Sequence, residues 1–158
     1  MKKEFTIPRL QTVRDIFVFC ALTGLAFTDV QHLRHDHIIK DGNGEYWIRK
    51  AREKTDNMCD IPLLDIPRMI LEKYKGHPEC MKKGVLLPVP SNQRMNSYLK
   101  EIADTCGITK PLSTHVARHT FATVALANRV SMESVAKMLG HTDIRTTRIY
   151  ARILDKTV

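Results

Sequence analysis

A mostly helical α+β fold with one small, three-stranded antiparallel sheet is predicted for this chain. Three observations predict it. Apolar residues recur at helical spacing through 12–25, 93–106, 114–127 and the stretch after Ser131. A strong turn signal, Asp41-Gly42-Asn43-Gly44, separates two short β-prone runs. A third such run follows a polar turn at 54–57. The length of 158 residues with 43% hydrophobic residues suffices for one domain with a sizeable core.

Residues 1–10 read as an extended basic segment, a linker remnant in which Pro8 prevents an early helix. The domain proper is expected over 11–158. The first helix, 12–25, buries Val13, Ile16, Phe17, Phe19, Cys20 and Leu22 and ends near Gly24. Thr28 is expected to cap a short helix through Val30 and Leu33. The sheet comprises a strand at 37–39, a second at 45–51 carrying Tyr46, Trp47 and Ile48, and a third at 59–63. Pro67 opens a helix to about residue 74. The proline-bearing segment 76–91 reads as irregular. Gly107 closes the helix 93–106. Thr114 caps the helix through 127, with Phe121, Val124 and Ala125 on its packed side. Ser131 caps the next helix, which ends at Leu139-Gly140. A last helix from about 142 carries Tyr150.

Lys and Arg total 25 against 17 Asp and Glu, a formal net charge of +8. That balance favours a polyanionic partner, nucleic acid first. Cys20, Cys59, Cys80 and Cys106 form no Cys-x-x-Cys pair, so neither a zinc site nor a disulfide framework is expected. His32, His35 and His37 cross a helix-to-strand junction and read as surface rather than as a metal cluster. With no signal peptide and no long apolar span in the sequence, a cytoplasmic location without membrane attachment is expected.

Chemistry concentrates in the last third. His115 and Arg118 are three apart and share a helix face, leaving the Arg118 fork to aim at a phosphate. His141 follows Gly140 at a helix junction, which presents it into a cleft. Tyr150 follows within a basic stretch that includes Arg145 and Arg148. A phenol is a poor nucleophile at neutral pH, since its pKa is about 10. Cations favour its phenolate, and a positioned base can take its proton. Lys54, at the tip of a strand turn, suits protonation of a departing 5′ oxygen. Taken singly, each feature also reads as solvated surface, helix cap or packing aromatic. The conjunction, in order and in a basic chain, is what points to DNA strand chemistry.

These residues resemble the catalytic domain of the tyrosine recombinases, the phage-integrase family. The carrying motifs are His115-x-x-Arg118, Gly140-His141, Tyr150, the sheet lysine Lys54, and Thr23-Gly24-Leu25 of the first motif. The resemblance implies the tyrosine recombinase catalytic-domain fold. It also implies site-specific recombinase or integrase activity on double-stranded DNA, without metal or nucleotide cofactor. Tyr150 would form a 3′-phosphotyrosyl link, Arg118 would bind the phosphate, His115 would move a proton, His141 would hydrogen-bond the phosphate and Lys54 would be the general acid. Thr55, Arg145 and Arg148 would contact DNA. The family's N-terminal clamp domain is not matched, so a tetramer is expected only for a longer parent and a monomer for this chain.

One departure stands out. The family has an arginine after Thr-Gly-Leu; this chain has Ala26, similar to Bacteroides-type integrases, while Asp29 keeps the acidic position. Arg52 is the expected substitute, because residues two apart on a strand share a face and Arg52 would then point with Lys54. Arg14 and Arg34 have weaker claims. Two other readings stay open at the level of sequence. One is type IB topoisomerase-like strand relaxation. The other is a non-catalytic helical DNA-binding module.

Overall fold

The computed structural model describes residues 5–141 and 143–149. The mostly helical α+β class is as expected. Helix α1 (Pro8–Thr23) runs through the middle and buries Leu10, Val13, Ile16, Phe19 and Cys20 along one stripe. It packs against α3 (Asp65–Lys73), α5 (Asn92–Cys106) and α6 (Thr114–Ala127). The sheet has the order β1-β2-β3, all antiparallel: β1 Ile38–Lys40, β2 Tyr46–Ala51 and β3 Met58–Pro62. Helix α2 (Phe27–Gln31) and the 3₁₀ turn His35–His37 link α1 to the sheet. Helix α7 (Met132–Leu139) packs on β3 and α6, and residues 144–149 are helical. A small second cluster of Ala122, Val135 and Leu139, with Phe121 and Ala125 against it, joins α6 to α7.

Several local expectations are corrected, and the reasons are consistent. Pro8 does not delay α1 but occupies its first turn, where the missing N–H has no intrahelical partner to lose. The same chemistry makes Pro78 open α4 (Pro78–Lys83), inside a segment expected to be irregular; the His77 ring accepts the Glu79 N–H and completes that end. Pro67 sits inside the first turn of a helix that starts at Asp65. Thr28 caps nothing: Ala26 is the N-cap of α2, with no side-chain cap bond. For α6 the cap is Ser113, whose Oγ accepts the Val116 N–H, while Thr114 is buried one position later. Ser131 does cap α7 as expected, accepting the Ser134 N–H. Val124 faces solvent at 52% exposure rather than the core.

Two polar features tie α1 to its neighbours. Asp15 is buried mid-helix and accepts hydrogen bonds from Lys73 Nζ (2.7 Å) and Tyr74 OH (2.6 Å) of the α3 end. Burial alone would raise its pKa; bonds from Lys73, Tyr74 and Arg14 outweigh burial and hold it below the ordinary carboxylate value. At the other end, Gly24 closes α1 in the left-handed region, φ 76°, its N–H bonded to Cys20 O at 2.8 Å.

A Cβ at Gly24 would lie 2.5 Å from Phe121 Cδ1 and 3.1 Å from Leu139 Cδ2. Gly24→Ala should therefore destabilise the domain by about 2–4 kcal/mol, combining left-handed strain with overpacking. Gly76→Ala has the strain alone, since φ is 81° with nothing within 4 Å of the added carbon. Urea unfolding of both variants should show a clearly lower midpoint for Gly24→Ala; equal midpoints would refute the packing account.

Candidate active site

Three helix ends and one strand end meet beside Gly24. Arg118, on the second turn of α6, is only 6% exposed. Its Nη1 donates to Gly24 O at 2.5 Å and its Nη2 to Leu139 O at 2.8 Å. Both acceptors are C-terminal carbonyls, of α1 and α7, where the helix dipole leaves partial negative charge. The expectation that Arg118 stands free to aim its fork is thus corrected: these donors are bound to backbone.

Arg52 enters from the end of β2. Its aliphatic stem crosses Gly140, where a Cβ would meet Arg52 Cδ at 2.8 Å and Cys59 Sγ at 2.9 Å. Gly140 is the left-handed cap of α7, φ 72°, so its bare backbone serves both the turn and the passage of this side chain. The Arg52 Nε lies 3.6 Å from Asp29 Oδ2 and has no hydrogen-bond partner among the described residues. Asp29, 1% exposed in the first turn of α2, also accepts the Glu53 N–H at 2.8 Å and lies 3.9 Å from Lys50 Nζ.

His141 follows Gly140, half-buried, with Nδ1 2.7 Å from Thr147 Oγ1. Its pKa is pushed down to about 4 by burial first, then by Arg118 and Arg52. The ring is neutral at pH 7. In the tautomer in which the Thr147 hydroxyl donates to Nδ1, the ring proton sits on Nε2, a donor suited to an anionic oxygen. The Cys59 thiol, in contrast, is raised to about 11, by burial first, and it feels Arg118, Asp29, Arg52 and Lys50.

Arg118, Arg52 and His141 are therefore brought together. His115 is not joined to them by any described contact: it is exposed on α6, its ring centroid 4.1 Å from that of His119. The His119 ring is held below its ordinary value by burial, then by His115 and Arg118. Lys54 and Thr55 are exposed on the turn between β2 and β3. The shared-face argument for Arg52 and Lys54 does not hold, because β2 ends at Ala51 and Lys54 belongs to the turn. Arg148 is exposed, and Arg145 is engaged with Asp143 at 2.7 Å rather than presented alone. Tyr150 lies outside the described residues.

Sequence reasoning missed Lys50 and Glu53. Lys50 is 4% exposed and bonds Glu53 Oε1 at 2.8 Å and Ala51 O at 3.1 Å. The signal was present: Ile48 and Lys50 alternate onto the inward face of β2.

The family model described as the phage integrase family matches residues 8–157. This chain belongs to the phage integrase family. Among curated relatives, the tyrosine recombinase XerD of Listeria monocytogenes serotype 4b (strain F2365) is 49% identical over 142 residues, covering 83% of this chain and 46% of that protein. The tyrosine recombinase XerD of Pseudomonas putida is 33% identical over 140 residues, covering 82% and 46%. The chain thus spans about half the length of these relatives. The fold is that of solved family structures. XerH recombinase bound to palindromic difH substrate, in a post-cleavage complex, superposes with a TM-score of 0.74 at 19% identity, covering 96% of this chain and 45% of that one. A lambda integrase dimer on a COC′ core site gives 0.64 at 17%, covering 90% and 55%. Among the described residues no helix is long and apolar enough to cross a membrane.

His141 has a depressed pKa, so its contribution to stability is full above the ordinary value of 6.5 and is lost as pH falls towards about 4. Imidazole NMR should show a neutral ring through neutral pH, titrating only near pH 4. Arg52→Ala, by removing a neighbouring cation, should move that midpoint upward. A His141 midpoint near 6.5 would contradict the packing described.

Proposed function

We propose that this domain is the catalytic domain of a site-specific DNA recombinase or integrase, cutting and rejoining one strand through a 3′-phosphotyrosyl link to Tyr150. The single observation that supports this most is the meeting of Arg118, Arg52 and neutral His141 at one junction, where Arg52 Nε has no hydrogen-bond partner among the described residues. A phosphate oxygen has the charge and the acceptor geometry that such a junction wants. Membership of the phage integrase family supports the same reading.

In this mechanism the Tyr150 oxygen bonds to the scissile phosphorus as the bond to the 5′ oxygen breaks. The phenolic proton passes to His115, and Lys54 protonates the departing 5′ oxygen. Arg118, Arg52 and the His141 Nε2–H stabilise the charge that grows on the non-bridging oxygens. A 5′ hydroxyl from a partner duplex then reverses the step and seals the strand. The phosphodiester bond energy is kept in the tyrosyl link, so no nucleotide is consumed. Arg52 takes the place left by Ala26, since its guanidinium reaches Asp29 in the same motif. Thr55, Arg145 and Arg148 contact the DNA backbone. A longer parent assembles as a tetramer on two duplexes, while this chain alone is a monomer in the absence of DNA.

A nicked suicide duplex tests the proposal. The unaltered chain should accumulate a covalent protein–DNA adduct, and Tyr150→Phe should abolish it. Arg52→Ala should slow adduct formation by about 10²–10³-fold, the loss expected for one charge-stabilising donor. Binding should weaken log-linearly with salt. Binding without any adduct would make the domain a DNA-binding module. Relaxation of supercoiled plasmid without exchange between two sites would make it a topoisomerase-like enzyme.

A further inference from the structure

The residue before Lys54 is held twice. The Glu53 N–H donates to buried Asp29 Oδ1 at 2.8 Å, and the Glu53 carboxylate accepts from buried Lys50 Nζ at 2.8 Å. Lys50 also bonds Ala51 O at 3.1 Å. The chain on either side of Arg52 is therefore clamped from the interior, and Lys54 leaves that clamp as the next residue. A lysine only 4% exposed is costly to desolvate, and an apolar residue of its volume would usually serve stability as well or better. Its place in the interior is better accounted for by what it holds.

We propose that Lys50, together with Asp29, is a positioning residue for strand cleavage: through Glu53 it fixes the turn so that the Lys54 ammonium is aimed at the leaving 5′ oxygen. This rests on the reading of Lys54 as general acid. Lys50 itself touches no reacting atom. Its ammonium points inward to Glu53, Ala51 and Asp29, and it acts through the geometry of the turn. Misplacing an acid by an ångström is enough to cost about 10²-fold in rate.

The test compares single-turnover cleavage of two nicked duplexes at saturating DNA. One carries the normal bridging oxygen at the scissile phosphate; the other carries sulfur at the 5′-bridging position. A thiol is far more acidic than an alcohol, so a thiolate leaves without a proton and needs no aimed acid. Lys54→Ala should be slow on oxygen by ~10²–10⁴-fold and recover on sulfur. Lys50→Met should bind DNA as the unaltered chain does, cleave the oxygen substrate about 10²-fold more slowly, and recover on sulfur. Glu53→Gln, at a part-exposed position that leaves the interior intact, should show the same pattern with a smaller loss, and it decides the matter if Lys50→Met does not fold. Either variant cleaving oxygen at the normal rate overturns the proposal, as does an equal loss on both substrates. A Lys54→Ala defect that sulfur leaves in place overturns the acid role of Lys54, and the clamp with it. No cleavage by the unaltered chain overturns the proposed function itself.

Discussion

The placement of the guanidinium of Arg118 is the constraint on which the rest of the molecule depends. It donates to the last carbonyls of two helices, α1 at Gly24 and α7 at Leu139. A buried cation needs such partners, because an unpaired one would be strongly destabilising. Distant α1 and the consecutive helices α6 and α7 are thereby locked to one point. Gly24 must lack a Cβ for α6 to come this close, since Phe121 occupies the space. The small cluster of Ala122, Val135 and Leu139 closes the same seam from the apolar side. Packing and charge pairing thus define one position, and His141 is delivered to it as the residue that follows the α7 cap.

A second layer of charge surrounds that point. Asp29 is the buried anion that gathers Arg52, Lys50 and the Glu53 N–H. Counting Arg118, Arg52 and Lys50 against Asp29 and Glu53 leaves one surplus positive charge, with His141 neutral. A cluster with that surplus favours a further anion beyond its own two carboxylates. Burial first, and then the two cations beside it, hold the His141 pKa down, so that the ring adds no third charge there. Arg52 reaches Asp29 from a different element, the end of β2, along a path that a side chain at Gly140 would obstruct.

Much of the fold was legible because the relevant physics is local. Helical periodicity located α1, α5, α6 and α7 within a few residues, and Asp41-Gly42-Asn43-Gly44 marked the first hairpin. The Ser131 cap was readable for the same reason. Errors came where one residue type serves two local purposes. Pro8 and Pro78 were read as breakers and act as openers. Val124 was placed inside by spacing, yet among the described residues it is exposed. In the site, Arg118, His141 and Arg52 lie close to one another, but their surroundings were not foreseen. The Arg118 bonds run to carbonyls 94 and 21 residues away. Lys50 was overlooked although strand alternation put it beside Ile48 on the inward face.

The sequence by itself determined the helical and strand segments, the basic character and the ordered set His115, Arg118, His141, Tyr150 with Lys54 on its turn, because periodicity, turn chemistry and residue type are properties of neighbouring positions. Only the tertiary structure decided that Arg118 is buried across two helix ends, that Arg52 reaches Asp29 over Gly140, and that Lys50 grips the turn before Lys54. Those outcomes depend on which carbonyls, carboxylates and bare glycines arrive at the same place. Burial then decides how strongly their charges act on one another, and neither quantity is carried by any short stretch of chain.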